Sequence, residues 1–156
     1  PRNLNVLIAG IVVMLIFGFL LTYTRLGKAM RAVRDSEELS SVSGINSDNI
    51  ILITWISSSM LAGLAGIFQA IINDVRWNMG FLILLLIFAG TVLGGIGTSF
   101  GAMVGGFLIG ILVQVSVGLP FMEGHTEAKN AVALAIMILI LLFRPQGIFG
   151  QKERIS

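Results

Sequence analysis

No charged residue occurs between Phe81 and Met122, a run about twice the roughly 20 residues that a helix needs to cross a bilayer. Two further uncharged runs, Leu4 to Thr24 and Ile50 to Ile72, are each long enough for one crossing. Inside lipid a peptide group finds no water to bond, so each run must satisfy its own backbone, and a helix does so. Composition agrees: 56% of the 156 residues are hydrophobic and 12% charged, where a soluble domain carries about a quarter charged residues. The 19 glycines would weaken soluble helices, but membrane helices use glycine to bring backbones together. The fold class expected is all-α, a polytopic transmembrane helical bundle.

About five membrane segments are predicted within a single transmembrane domain: 4–24, 50–72, 80–93, 101–118 and 128–143. Segment 80–93 is short, roughly 21 Å if helical, and is expected either to span or to be re-entrant. The glycine-rich stretch Gly94-Gly95-Ile96-Gly97-Thr98-Ser99-Phe100-Gly101 is expected to unwind. A loop with Pro120, Glu123, Gly124 and His125 precedes the last segment, and Arg144-Pro145-Gln146-Gly147 ends it. The chain opens Pro1-Arg2-Asn3, and 4–24 is too long for a signal peptide and lacks its small-residue cleavage site. The start therefore reads as a truncation.

Orientation follows from the basic residues. With 25–49 and the tail 144–156 cytoplasmic, Arg25, Lys28, Arg31, Arg34, Arg144, Lys152 and Arg154 lie inside, and Arg2, Arg76 and Lys129 outside, as the positive-inside rule prefers. The net charge of +2 comes without a basic stripe interleaved with aromatics, so no nucleic-acid partner is expected. Absent cysteine excludes disulfides and thiolate chemistry. With His125 the only histidine, no two-histidine metal site can form, and the Gly94 to Gly97 stretch lacks the lysine of a phosphate-binding loop. Neither an enzyme centre nor a cofactor is expected.

Small residues recur at helical spacing. Gly97, Gly101 and Gly105 are four apart, as are Ala102, Gly106 and Gly110, and Gly63 and Gly66 lie among the small residues of the second span. Close helix packing is the expected use, with lining of a path as the alternative. Thr54, Ser58, Gln69 and Gln114 are polar inside spans, where polar groups are costly unless paired or facing a cavity. They are candidate pathway residues, or else helix-to-helix hydrogen bonders.

The polar segment 25–49 carries the most specific pattern. Leu26, Met30 and Val33 recur at helical spacing opposite Lys28, Arg31, Asp35 and Glu38, which predicts one amphipathic helix from Gly27 to Ser43, ended by Gly44 in a left-handed cap. Arg31 with Asp35, and Arg34 with Glu38, fall at i,i+4. Such a helix lies on the membrane surface or docks a cytoplasmic subunit.

Three groups of residues then resemble a known family. Thr24-Arg25-Leu26-Gly27-Lys28-Ala29-Met30-Arg31-Ala32-Val33-Arg34, Ser43-Gly44-Ile45-Asn46 and Leu61-Ala62-Gly63-Leu64-Ala65-Gly66 are similar to the coupling-loop region of branched-chain amino-acid ABC-importer permeases. Val92 to Ala102 and Leu142 to Gly150 look like later signatures of that family, in the same order and spacing. The resemblance covers residues 24 to 150 and implies the C-terminal part of a permease subunit in a bacterial or archaeal cytoplasmic membrane, surrounded by lipid. It implies as partners a second permease subunit, ATP-binding cassette subunits that hydrolyse the ATP, and an extracytoplasmic substrate-binding protein. It also implies that Lys28, Arg31, Arg34, Glu38, Gly44 and Asn46 couple to the nucleotide-binding subunit. Glu38-Leu39-Ser40, followed after three intervening residues by Gly44, is similar to the importer signature Glu-Ala-Ala with its later glycine, both alanines being replaced. Rival readings are a permease for urea, amides or simple sugars, a secondary transporter, and a structural membrane subunit.

Overall fold

The computed structural model describes residues 1–118 and 128–150. The loop with Glu123, His125 and Glu127, the Lys129 side chain, and Lys152 and Arg154 lie outside the described residues. Every regular element described is helical: α1 (Arg2–Tyr23), α2 (Arg25–Asp35), α3 (Glu37–Val42), α4 (Ser47–Ile72), α5 (Met79–Gly94), α6 (Ser99–Val117) and α7 (Ala128–Phe143). Their contacts gather into two compact units, Pro1–Val75 and Arg76–Ser156.

In the first unit α1, with 22 residues, and α4, with 26, measure about 33 and 39 Å, enough to cross a hydrocarbon core. Both are apolar and almost wholly uncovered, which suits a helix whose solvent is lipid or a neighbouring helix. Four of their hydroxyls turn back onto the helix. Thr22, Thr54, Ser57 and Ser59 each donate to the carbonyl four residues back, at 2.8 Å in every case, so none reaches lipid unpaired.

The second unit is the three-helix group α5, α6 and α7, with Ala89, Leu93, Ile109 and Val113 at its core. α6 has 19 residues and is about 28 Å long, while α5 and α7 have 16 each and reach about 24 Å. The unwound stretch is shorter than the glycine content predicts. α5 runs on through Gly94 and α6 starts at Ser99, leaving Gly95 to Thr98 as the turn. Only Gly95 and Gly97 within it have positive φ, at +100° and +93°. Gly94 and Gly101 stay helical because they face one another: a Cβ on either would strike the other's backbone. Gly105 likewise faces Gly90 and Gly94, so α5 and α6 meet along a seam without side chains.

Candidate functional site

The polar segment between the two long helices is built around three hydroxyl residues. Thr24 leaves helical geometry, with φ −89° and ψ 158°. Its hydroxyl donates to the Leu20 carbonyl and accepts from the Gly27 amide at 3.2 Å. One side chain thus closes α1 and caps α2. Gly27 is buried where α2 folds back on α1, and a Cβ there would collide with the Leu21 backbone. Arg31 reaches from α2 to donate to the Thr22 carbonyl at 3.3 Å and to Gly27 at 3.4 Å. A positive group therefore sits at the negative end of α1.

The single helix predicted from Gly27 to Ser43 is two. Ser36 is extended, at φ −160°, and its hydroxyl accepts from the Leu39 amide at 3.3 Å to cap α3. Glu37 and Glu38 occupy the first turn of α3, where its dipole favours them. This is a serine N-cap followed by acidic residues, a start signal legible in the sequence. At the break Arg34 pairs with Asp35 at 2.9 Å, and Arg31 is drawn to the end of α1.

α3 ends as the glycine predicts. Gly44 has φ +90°, its amide donates to Ser41, and the Ile45 amide donates to Ser40, at 3.1 and 3.0 Å. Those two bonds make a Schellman motif. Asn46 then caps α4 by accepting from the Asn49 amide at 3.3 Å. Ser47 ties α4 back to α3, sharing a 2.9 Å bond with Ser41 and donating to the Glu37 carbonyl at 3.4 Å. Lys28, Arg31, Arg34, Glu38, Gly44 and Asn46 therefore fall on one continuous element anchored to both long helices.

The candidate pathway residues are not gathered. Thr54 and Ser58 line an open groove of about 360 Å³ between α2 and α4, with Met30, Val33, Ile50 and Trp55. Gln69 lies about 17 Å further along α4, and Gln114 stands exposed on α6. The predicted packing glycines also divide. Gly101 and Gly105 lie in the α5–α6 seam, and the Cα of Gly106 approaches Gly90, whereas a Cβ at Gly63, Gly66, Gly97 or Gly110 would meet nothing within 4 Å. The partners of that seam, Gly90 and Gly94, escaped the sequence reading although they too are four apart.

A second constellation joins two sequence stretches that are far apart. The last four carbonyls of α5 have no partner within the helix. The Gly95 amide donates to Thr91 and Val92, at 3.0 and 3.3 Å, and the tail supplies the rest: Ile148 to Leu93 at 2.8 Å and Phe149 to Gly94 at 3.2 Å. Gly147, at φ +72°, brings the tail in so closely that a Cβ there would strike Gly95. Among the described residues no cluster of metal-ligating side chains occurs.

The order of these features, a double-capped polar element, a glycine-turned helical pair and an Arg-Pro-Gln-Gly tail docked on it, is carried by a chain that matches the branched-chain amino acid transport system permease component family over residues 3–141. The chain belongs to this family. The family is one of transport components rather than enzymes. The high-affinity branched-chain amino acid transport system permease protein LivH of Escherichia coli K12 is 36% identical over 144 residues, covering 90% of this chain and 44% of its own length. The corresponding protein BraD of Pseudomonas aeruginosa is 36% identical over 156 residues, 96% of this chain and 48% of its own. A probable LivH of Methanocaldococcus jannaschii is 35% identical over 145 residues, 90% and 46%. This permease-family chain thus spans about half the length of the curated relatives it matches. No solved structure matches it.

Proposed function

We propose that this chain is part of the transmembrane permease subunit of an ATP-driven importer that carries branched-chain amino acids across a bacterial or archaeal cytoplasmic membrane. The observation that carries the reading is the family match over nearly the whole chain, with relatives named for branched-chain amino acids at 35 to 36% identity; a relative named for L-arabinose reaches 28%. Its partners are a second permease subunit, ATP-binding cassette subunits and an extracytoplasmic binding protein. The α2–α3 element and the tail face the cytoplasm, where 25–49 and 144–156 hold most of the basic residues.

In this reading α2 and α3 are the lever on which the ATP-binding subunits press. Thr24, Arg31 and Ser47 bond the lever to α1 and α4, so displacement of α2–α3 moves both long helices. ATP drives the change because its subunits bind one arrangement better than the other. Thr54 and Ser58 lie on the groove beside the lever, and Gln69 and Gln114 are the further polar groups a passing zwitterion would meet. Uptake into proteoliposomes holding the whole importer tests the assignment. Leucine, isoleucine and valine should compete with one another and L-arabinose should not; uptake of the sugar alone would overturn it. Replacing Arg34 by alanine, or Gly44 by alanine, should lower substrate moved per ATP without loss of membrane insertion. Unchanged stoichiometry in both variants would remove α2–α3 from the coupling role.

A further inference from the structure

The tail and the Gly95 turn meet backbone to backbone. A Cβ on Gly95 would lie 2.5 Å from the Gly150 amide nitrogen and 3.0 Å from its Cα, and one on Gly147 would lie 2.6 Å from the Val92 carbonyl oxygen. No side chain stands between the two segments to swing aside. Opening this contact would strip two carbonyls and two amides of their partners at once. It would also part Ile148 from Leu93, which line one apolar groove with Leu139 and Ile140. The α5–α6 seam has the same character, glycine backbone against glycine backbone. The α2–α3 element shares part of this character, with Gly27 against the Leu21 main chain, but is otherwise fastened through side chains, Arg31 on the Thr22 carbonyl at 3.3 Å and the buried Ser47 on Ser41 and Glu37 at 2.9 and 3.4 Å.

We infer that residues 144–150 form a latch that stays closed through the transport cycle and makes α5, α6 and α7 move as one body, with Gly95 and Gly147 as its positioning residues. The cycle itself rests on the transport reading above. The first measurement does not depend on what is transported, so the two can fail separately. In the whole permease assembled with its ATP-binding partners in lipid nanodiscs, hydrogen exchange is followed at the Ile148 and Phe149 amides with and without bound ATP. Both amides should be protected in both states, and Gly147→Ala should cut that protection roughly tenfold or more, since alanine resists positive φ. Loss of protection in either nucleotide state of the native protein, or undiminished protection in the variant, overturns the latch.

A second variant covers the case in which Gly147→Ala fails to assemble. The chain has no cysteine, so Leu93→Cys with Ile148→Cys gives a single internal pair across the groove. Uptake after oxidation should stay within twofold of uptake after reduction. Uptake lost on oxidation and restored by reductant would mean that the latch must open.

Discussion

Gly27 and Gly10 are both helical glycines in the same unit, and they should respond to alanine in opposite ways. At Gly10 a Cβ meets nothing within 4 Å, so Gly10→Ala should raise thermal stability by up to about 1 kcal/mol through helix propensity. At Gly27 the added carbon would strike the Leu21 main chain, and overpacking of that kind costs about 1–3 kcal/mol. Thermal unfolding of the assembled permease checks the pair, and equal melting temperatures would refute the close approach of α2 to α1. The sequence shows glycine at both places and cannot tell them apart. Only the fold-back of the chain at Thr24 decides which one has a neighbour.

At the scale of elements, α2 and α3 are separate helices because Ser36 offers its hydroxyl to the Leu39 amide. Ser36→Ala should cost about 1 kcal/mol and Ser36→Asp much less, because aspartate caps equally well. Amide exchange at Leu39 reads the difference, and equal exchange in both variants would show that the break does not depend on the cap. The α5–α6 pair gives a sharper contrast. Gly105→Leu would drive a side chain into Gly90 and Gly94, whereas Gly110→Ala enters open space. The first should abolish a stable second unit, seen as proteolysis between α5 and α6, and the second should leave it intact. Of the three glycines spaced four apart, Gly101 and Gly105 lie in the α5–α6 seam. Gly97 belongs to the turn, and a Cβ there would meet nothing within 4 Å; periodicity alone does not say where a helix begins.

At the scale of the molecule, the proposed arrangement has α2–α3 and the tail on the cytoplasmic side. Single cysteines at Lys28, Gln146 and Asp74 test it, since no native cysteine of this chain competes. In oriented membrane vesicles a charged maleimide should label Lys28→Cys and Gln146→Cys from the cytoplasmic face and Asp74→Cys from the opposite face. Labelling of Lys28→Cys and Gln146→Cys from different faces would break the alternation of spans.

Uncharged runs of about 20 residues or more fit spanning helices, which satisfy their own backbone in lipid, rather than the shorter strands of a barrel. Class, the Gly44 cap and the family resemblance were therefore open to reading along the chain, because each depends on residues a few positions apart. The sequence did not show that the Gly95 turn and the Arg144 to Gly150 tail are one feature. The Leu93 and Gly94 carbonyls are satisfied by the Ile148 and Phe149 amides, residues of a distant segment brought there by the packing of α7 on α5. Which groups complete a helix end is a matter of what lies nearby in space, and only the tertiary structure decides that.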